Sequence, residues 1–233
     1  MNPDPTPTRP APAGPAALNF ELLVFDWDGT LFDSTTLIVQ CIQSACRDIG
    51  VEVPSASAAA YVIGLGLHDA LKHAAPNLAP ERYPEMSDRF RHHYWARKDE
   101  LVLFPGTLSM LKALKARGHK LAVATGKNRK GLNDALAHSQ LETLFDATRT
   151  ADETAGKPDP LMLNQLMRLF GVEPERTLMV GDTTHDLLMA VNAGTASVAV
   201  SYGAHERDNF AAHRPRFVAH AMHDLCDWLL EHG

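Results

Sequence analysis

The sequence lacks three features that would each point to a particular class of protein. It has only three cysteines in 233 residues and no Cys-x-x-Cys pair, so neither a disulfide framework nor a thiolate zinc site is indicated. No apolar run approaches the roughly 18 residues of a membrane span. No run of five like charges occurs, and the formal net charge is −6, which argues against nucleic acid or a membrane as partner. A reducing, cytoplasmic location fits these absences.

The beginning of the chain also lacks the marks of a targeting segment. The stretch MNPDPTPTRPAPAGPAA contains six prolines but neither a basic n-region nor an apolar h-region, as a secretory signal would have. Its composition predicts a disordered tail over residues 1–17. The chain as a whole is 45% hydrophobic, which is enough for a core domain that carries a smaller insert.

Four apolar segments indicate a parallel β-sheet. The first, ELLVFD at 21–26, is a continuous apolar run, which is typical of a strand buried on both faces. The same pattern returns in HKLAVATG (119–126), RTLMVGD (176–182) and ASVAVSYG (196–203). Helical patterns alternate with these strands. The predicted fold is therefore α/β, with a doubly wound parallel, Rossmann-like sheet.

The segment from Ser34 to Phe104 interrupts this alternation. Ser34 is a candidate N-cap, and apolar residues follow it at helical spacing as far as Gly50, where glycine favours a helix end. Later parts of the segment also have helical patterns and no strong strand signal. We expect an inserted all-α cap domain at 34–104, with a core formed by 18–33 and 105–233.

Polar residues stand at the carboxyl ends of the predicted strands, where open α/β sheets bind ligands. Asp26, Thr125 and Asp182 end three of the strands, and Lys157 lies in the loop TAGKPDP. Carboxylates suit a hard cation such as Mg²⁺, whereas a hydroxyl and an ammonium suit a phosphate group. An aspartate in this setting can act as a nucleophile toward phosphorus if metal and lysine balance its charge.

In chain order, DWDGT with LFDS, AVATGK, GKPDP and GDTTHD resemble the four motifs of the haloacid dehalogenase superfamily of hydrolases. The resemblance covers nearly all of residues 20–233. The helical insert, GDTTHDLLMAVNAG and SVAVSYGAH are most similar to the phosphoglycolate-phosphatase-like branch. Trp27 and Gly126 depart from the residues that are commoner there, Leu and Ser or Asn, but neither departure removes a reacting group.

The resemblance implies roles for the acidic motif residues. Asp26 would be the nucleophile. Asp28 would be the general acid/base that protonates the leaving alkoxide and then activates water. Mg²⁺ would be bound by the Asp26 carboxylate, the Asp28 backbone carbonyl and Asp182, with Asp186 in indirect support.

The resemblance also implies a phosphate site. Thr125, Gly126 and Lys157 would hold the phosphoryl oxygens, and Lys157 would reduce repulsion among the acids. Gly29 would let the backbone pass close to the phosphate and would supply an amide to it.

These implications favour a Mg²⁺-dependent phosphatase that hydrolyses a small phosphate monoester through an aspartyl phosphate, with 2-phosphoglycolate as the best single substrate. A 2-haloacid dehalogenase needs neither the metal nor the second acid, so Asp28 and Asp182 count against it. A sugar phosphomutase shares the core and is not separated by the sequence. A non-enzymatic phospho-acceptor is disfavoured because a cap would cover its site. The expected partner is a small phosphorylated metabolite, and a monomer and a homodimer both remain open.

Overall fold

A computed structural model of the protein describes residues 19–233, and the tail predicted over 1–17 lies outside the described residues. The strands are β1 Leu22–Phe25, β2 Phe32–Asp33, β3 Val102–Leu103, β4 Lys120–Thr125, β5 Ala147–Thr150, β6 Thr177–Gly181, β7 Ala196–Val200 and β8 Phe217–Ala219. The α-helices are α1 Thr35–Asp48, α2 Ala56–Tyr61, α3 Leu67–Ala74, α4 Tyr83–Ala96, α5 Thr107–Ala116, α6 Arg129–Ser139, α7 Leu161–Phe170, α8 Thr184–Ala193 and α9 Met222–His232. Short 3₁₀ turns lie at Pro80–Arg82, Lys98–Glu100, Pro174–Arg176, Arg207–Asn209 and Ala211–His213.

Six strands form a parallel sheet in the order β5-β4-β1-β6-β7-β8. β1 is central, because Leu23 is in register with Leu121 of β4 on one side and with Leu178 of β6 on the other. Every residue of β1 is fully buried, which explains its continuous apolar run. After β1 the chain adds β4 and β5 on one side of it and then β6, β7 and β8 on the other. Such a reversal of strand order opens a crevice at the carboxyl ends of β1, β4 and β6.

Helices cover both faces of this sheet. Leu23 and Phe25 face one layer, which includes residues of α5, α6 and α9. Leu22 and Val24 face the other layer, which includes residues of α7 and α8. Alternate side chains of one strand thus fill two cores. The doubly wound parallel fold predicted from the sequence is confirmed.

The helices between β2 and β3 pack around an apolar cluster of their own. Ile42 of α1, Leu71 of α3 and Met86 of α4 are among its fully buried members. β2 and β3 pair antiparallel, with Asp33 opposite Val102, so entry and exit of the insert lie side by side. The all-α insert agrees with the predicted fold class, whereas the domain limits at 34 and 104 stay a prediction. Within 19–233, none of the helices has the length and apolar character to cross a membrane.

Three features of the fold were not predicted from the sequence. One is β3, a two-residue strand that pairs with β2 and lies inside the segment 34–104 expected to be all-α. β5 and β8 are the edge strands of the sheet, and both are short and only partly buried, so neither has a long apolar run. Ser34 does precede α1, but its side chain makes no capping hydrogen bond. Its hydroxyl donates instead to Asp28 Oδ1 at 2.9 Å.

Candidate active site

Three buried aspartates converge at the carboxyl ends of β1 and β6. Asp26 directly follows β1, Asp182 directly follows β6, and Asp186 lies in the first turn of α8. Each offers a carboxylate oxygen within 4.8 Å of the others, and none is more than 1% exposed. Since buried carboxylates lose hydration and repel one another, this cluster requires compensating positive charge.

Lys157 supplies part of that charge. Its Nζ lies 2.7 Å from Asp26 Oδ1 and 2.6 Å from Asp186 Oδ1, and its side chain is fully buried. Although burial opposes the charged ammonium, the carboxylates of Asp186 and Asp26 raise the pKa of Lys157. Burial also raises the pKa of Asp26, against the attraction of Lys157 and with the repulsion of Asp186 and Asp182. Burial, followed by the repulsion of Asp186, raises the pKa of Asp182 to about 7. One lysine therefore does not balance three ionised carboxylates.

The cluster fits a hard divalent cation such as Mg²⁺, because all of its donors are carboxylate oxygens. Asp26 Oδ2 is buried and has no hydrogen-bond partner among the described residues. The Asp182 oxygens each accept a bond of 2.8 Å, Oδ1 from Thr30 Oγ1 and Oδ2 from the Ala204 amide, which leaves lone pairs for a cation.

Asp186 makes more hydrogen bonds and ion pairs than Asp26 or Asp182. Its Oδ2 accepts from the Thr183 amide at 3.1 Å and from Thr183 Oγ1 at 2.6 Å, within a capping box of α8, and its Oδ1 faces Lys157. A capping carboxylate at this position also satisfies the helix N-terminus. The contacts therefore suit Asp186 for holding Lys157 in place.

Two glycines allow the backbone to approach Asp182 closely. A Cβ added at Gly29, where φ is +76°, would lie 2.1 Å from Asp182 Oδ2, and one at Gly203 would lie 2.3 Å from it. No residue with a side chain fits at these distances. The Gly29 amide, which the resemblance assigns to the phosphate, donates here to the Phe32 carbonyl at 2.9 Å. The geometry thus gives Gly29 a packing role beside Asp182.

Asp28 lies at the edge of the cavity, held at both oxygens. Oδ1 accepts from Ser34, and Oδ2 lies 3.0 Å from Lys127 Nζ. Lys127 also donates to the Tyr94 hydroxyl at 2.9 Å, and its Nζ lies 4.9 Å from the centroid of that ring. Although burial opposes the charge of Lys127, Asp28 and Tyr94 raise the pKa of Lys127.

Lys127 was not among the residues predicted from the sequence. Its only sequence signal is its place directly after Thr125 and Gly126, just beyond the carboxyl end of β4. Its partner Tyr94 comes from α4, so the contact depends on how the insert docks on the sheet. The structure thereby adds a cation to the predicted set.

Thr125 and Gly126 lie on the floor of the same cavity as Asp26 and Asp28. Thr125 is 1% exposed, and its Oγ1 accepts from the Lys127 amide at 3.2 Å. At Gly126 an added Cβ would lie 2.4 Å from the carbonyl oxygen of Leu65 and 2.6 Å from that of Gly64. The loop after α2 therefore rests directly on Gly126.

Two histidines of the core contact the end of α2, where this loop begins. His185 Nε2 and His205 Nε2 each lie 2.9 Å from the Tyr61 carbonyl oxygen, to which both must donate. The Thr184 amide donates to His205 Nδ1 at 3.0 Å, so His205 is neutral with its proton on Nε2. Burial lowers the pKa of both histidines. The helical insert is thus fastened to the sheet in a closed arrangement.

Replacing Gly126 by alanine is expected to lower kcat/KM by about tenfold to a hundredfold, because the new methyl displaces the loop at 64–65 from the site. Steady-state kinetics with the best available substrate measure the effect. Gly156→Ala is the matched control, since an added Cβ there meets nothing within 4 Å and should change kcat/KM by less than about twofold. Equal kinetics for Gly126→Ala and Gly156→Ala would show that this contact is unimportant for turnover.

Comparisons with known proteins find the same architecture and related sequences. Residues 23–200 match the family model for haloacid dehalogenase-like hydrolases. The probable phosphatase IndB of Dickeya dadantii is 35% identical, over 88% of this chain and 91% of its own. Pyrophosphatase PpaX of Halalkalibacterium halodurans (90% of this chain, 97% of its own) and a phosphoglycolate phosphatase of Vibrio vulnificus (90% and 96%) are each 32% identical. The crystal structure of a predicted phosphoglycolate phosphatase from Haemophilus somnus superposes with a TM-score of 0.80 at 28% identity, covering 90% of this chain and 97% of that one.

Proposed function

The chain belongs to the haloacid dehalogenase-like hydrolase family, and from that membership we propose that it is a Mg²⁺-dependent phosphatase. Its substrate is a small phosphate monoester among the cytoplasmic metabolites, and hydrolysis proceeds through an aspartyl-phosphate intermediate. The observation that carries the proposal is the pairing of the two carboxylate oxygens of Asp26. One of its oxygens pairs with Lys157, and the other is buried without a hydrogen-bond partner among the described residues, at the floor of a cavity.

In the first step, the Asp26 carboxylate attacks phosphorus and the substrate's alkoxide leaves. Lys157 fixes the Asp26 carboxylate through Oδ1 and balances part of the charge that would repel a phosphate dianion. Thr125 Oγ1 accepts a hydrogen bond from the Lys127 amide, so the hydroxyl proton of Thr125 is available to donate to a phosphoryl oxygen. Asp186 acts through Lys157, which it holds at 2.6 Å.

Asp28 moves protons in both steps. It protonates the leaving alkoxide and later removes a proton from the water that attacks the aspartyl phosphate. Ser34 and Lys127 keep its two oxygens in place at the cavity edge. When Mg²⁺ is bound by Asp26, Asp182 and the Asp28 carbonyl, it supplies charge neutralisation for the transferring phosphoryl group.

The names of the relatives do not agree on a substrate. One relative is named a phosphoglycolate phosphatase and another a pyrophosphatase, and these substrates differ in the group that leaves. 2-Phosphoglycolate is the substrate that the resemblance favours, so it is the first compound to test.

A panel of phosphate monoesters, assayed for free phosphate with Mg²⁺ and with a chelator, tests the proposed function. Phosphate release from at least one monoester is expected, with loss in the chelator and recovery when excess Mg²⁺ is added. Release that is unchanged by the chelator, or no release from any monoester, would refute the proposal. Halide release from a 2-haloacid would favour a dehalogenase. Conversion of a sugar phosphate to its isomer without free phosphate would favour a phosphomutase, and a long-lived phosphorylated wild-type protein would favour a phospho-acceptor.

A further inference from the structure

The cavity above the acid cluster is larger than its reacting floor. Its volume is about 680 Å³, and it extends from Asp26 and Asp28 to the helices of the insert. This volume lies within the range of roughly 300–1,000 Å³ that buries a drug-sized ligand. A phosphoryl group beside Asp26 and Thr125 would leave the part of the cavity under α1 and α4 for the leaving group.

The part of the cavity wall that the insert contributes from α1 and α4 includes apolar and aromatic side chains. Ile38 and Ile42 of α1 border it but are only 9% and 1% exposed, so Phe90 and Tyr94 of α4 provide its accessible apolar surface. The rings of Phe90 and Tyr94 are nearly parallel, with centroids 5.9 Å apart and planes at 22°. Trp95 borders the same cavity and is 37% exposed. An apolar group that binds against these side chains displaces water from them, which favours binding.

The cations around the cavity do not provide a buried site for a second anionic group. Lys127 is already paired with Asp28 and Tyr94. Arg91 pairs with Asp88 at 3.0 Å and keeps 48% of its side chain exposed. The other basic lining side chains, His68 and Lys130, are exposed. A carboxylate or second phosphoryl in the leaving group would therefore lose hydration without a buried cation among the described lining residues.

We propose that the preferred substrate is the phosphate monoester of an alcohol with an apolar body of about ring size. This inference rests on the proposed phosphatase function and assigns the specificity of the same site to the aromatic wall formed by Phe90, Tyr94 and Trp95. It places 2-phosphoglycolate and pyrophosphate, whose leaving groups are anionic, among the poorer substrates.

The test compares ethyl, butyl, hexyl and 2-phenylethyl phosphates with 2-phosphoglycolate and pyrophosphate, all in the presence of Mg²⁺. The four esters leave as primary alkoxides, so their intrinsic reactivity is similar. We expect kcat/KM to rise by about threefold to fourfold for each added methylene, and 2-phenylethyl phosphate to exceed both anionic substrates. A flat series, or a higher kcat/KM for 2-phosphoglycolate or pyrophosphate, would overturn the inference while leaving the phosphatase function standing.

Two variants assign the preference to the wall. Phe90→Ala should lower kcat/KM for 2-phenylethyl phosphate by at least about tenfold and that for ethyl phosphate by less than about twofold. Trp95→Ala, at a more exposed position, gives the same test with a smaller effect if Phe90→Ala fails to fold. Leu169→Ala is the control, because Leu169 is 55% exposed on α7 and lies outside the cavity lining. Equal losses for both esters would overturn the assignment. If no compound released phosphate, both the phosphatase function and this inference would be refuted.

Discussion

Asp26→Asn is expected to abolish turnover and to leave the fold intact. The amide has the size of the carboxylate but is not a nucleophile toward phosphorus, so kcat should fall by more than about a thousandfold. Burial and two neighbouring carboxylates already raise the pKa of Asp26, so the loss of its charge should not destabilise the protein without metal. Lys157 keeps its pair with Asp186 in the variant. Phosphate release and thermal unfolding followed by circular dichroism measure the two effects.

Asp33→Asn is the matched control for this substitution. Asp33 lies in the same stretch, FDWDGTLFDS, but it is exposed and belongs to β2 at the entry to the helical insert. The control should keep the activity of the wild type within about twofold. If Asp26→Asn kept more than about a tenth of the wild-type kcat, another group would have to be the nucleophile.

Asp28→Asn is expected to lower kcat by about a hundredfold to ten-thousandfold, the range that a positioned general acid or base contributes. The loss should fall on hydrolysis of the aspartyl phosphate, since an amide cannot take the proton from water. With acetyl phosphate, whose acetate leaves without protonation, the variant should show a burst of acetate equal to the enzyme concentration, followed by slow turnover. Rapid quenching with acetate detection measures both phases.

Ser34→Ala is the control for Asp28, because it removes the bond of 2.9 Å to Oδ1, together with a long one of 3.5 Å to the Phe32 carbonyl, and leaves Lys127 on Oδ2. Its kcat should fall by less than about tenfold. Wild-type turnover in Asp28→Asn would contradict the proton-transfer role of Asp28.

Much of the site could be predicted because it follows from one rule of open α/β sheets. Ligands lie at the carboxyl ends of the strands, and the apolar runs of β1, β4 and β6 could be recognised because these strands are buried on both faces. Asp26, Thr125 and Asp182 were placed in this way. The structure brings Asp26, Asp182, Asp186 and Lys157 into direct or near contact, and Asp28, Thr125 and Gly126 line the same cavity.

The rest depends on long-range packing that one sequence does not encode in a local pattern. Lys127 meets Asp28 because β1 and β4 are neighbours in the sheet, and it meets Tyr94 only because the helical insert docks on the sheet. Ser34 has the residue type and position of an N-cap, but the proximity of Asp28 redirects its hydroxyl. In the sequence, Gly29 is as compatible with a turn that faces a phosphate as with close packing against Asp182. Only the three-dimensional structure shows that it packs against Asp182.

The most direct test of an aspartyl-phosphate mechanism is to locate the phosphoryl group. Asp28→Asn protein would be mixed with acetyl phosphate and Mg²⁺, quenched in acid during the burst, digested and mapped by mass spectrometry. We predict one phosphoryl group per chain, on Asp26, and none in the double variant that also carries Asp26→Asn. A phosphoryl group on another residue, or release of phosphate with no phosphorylated protein at any time, would contradict the mechanism.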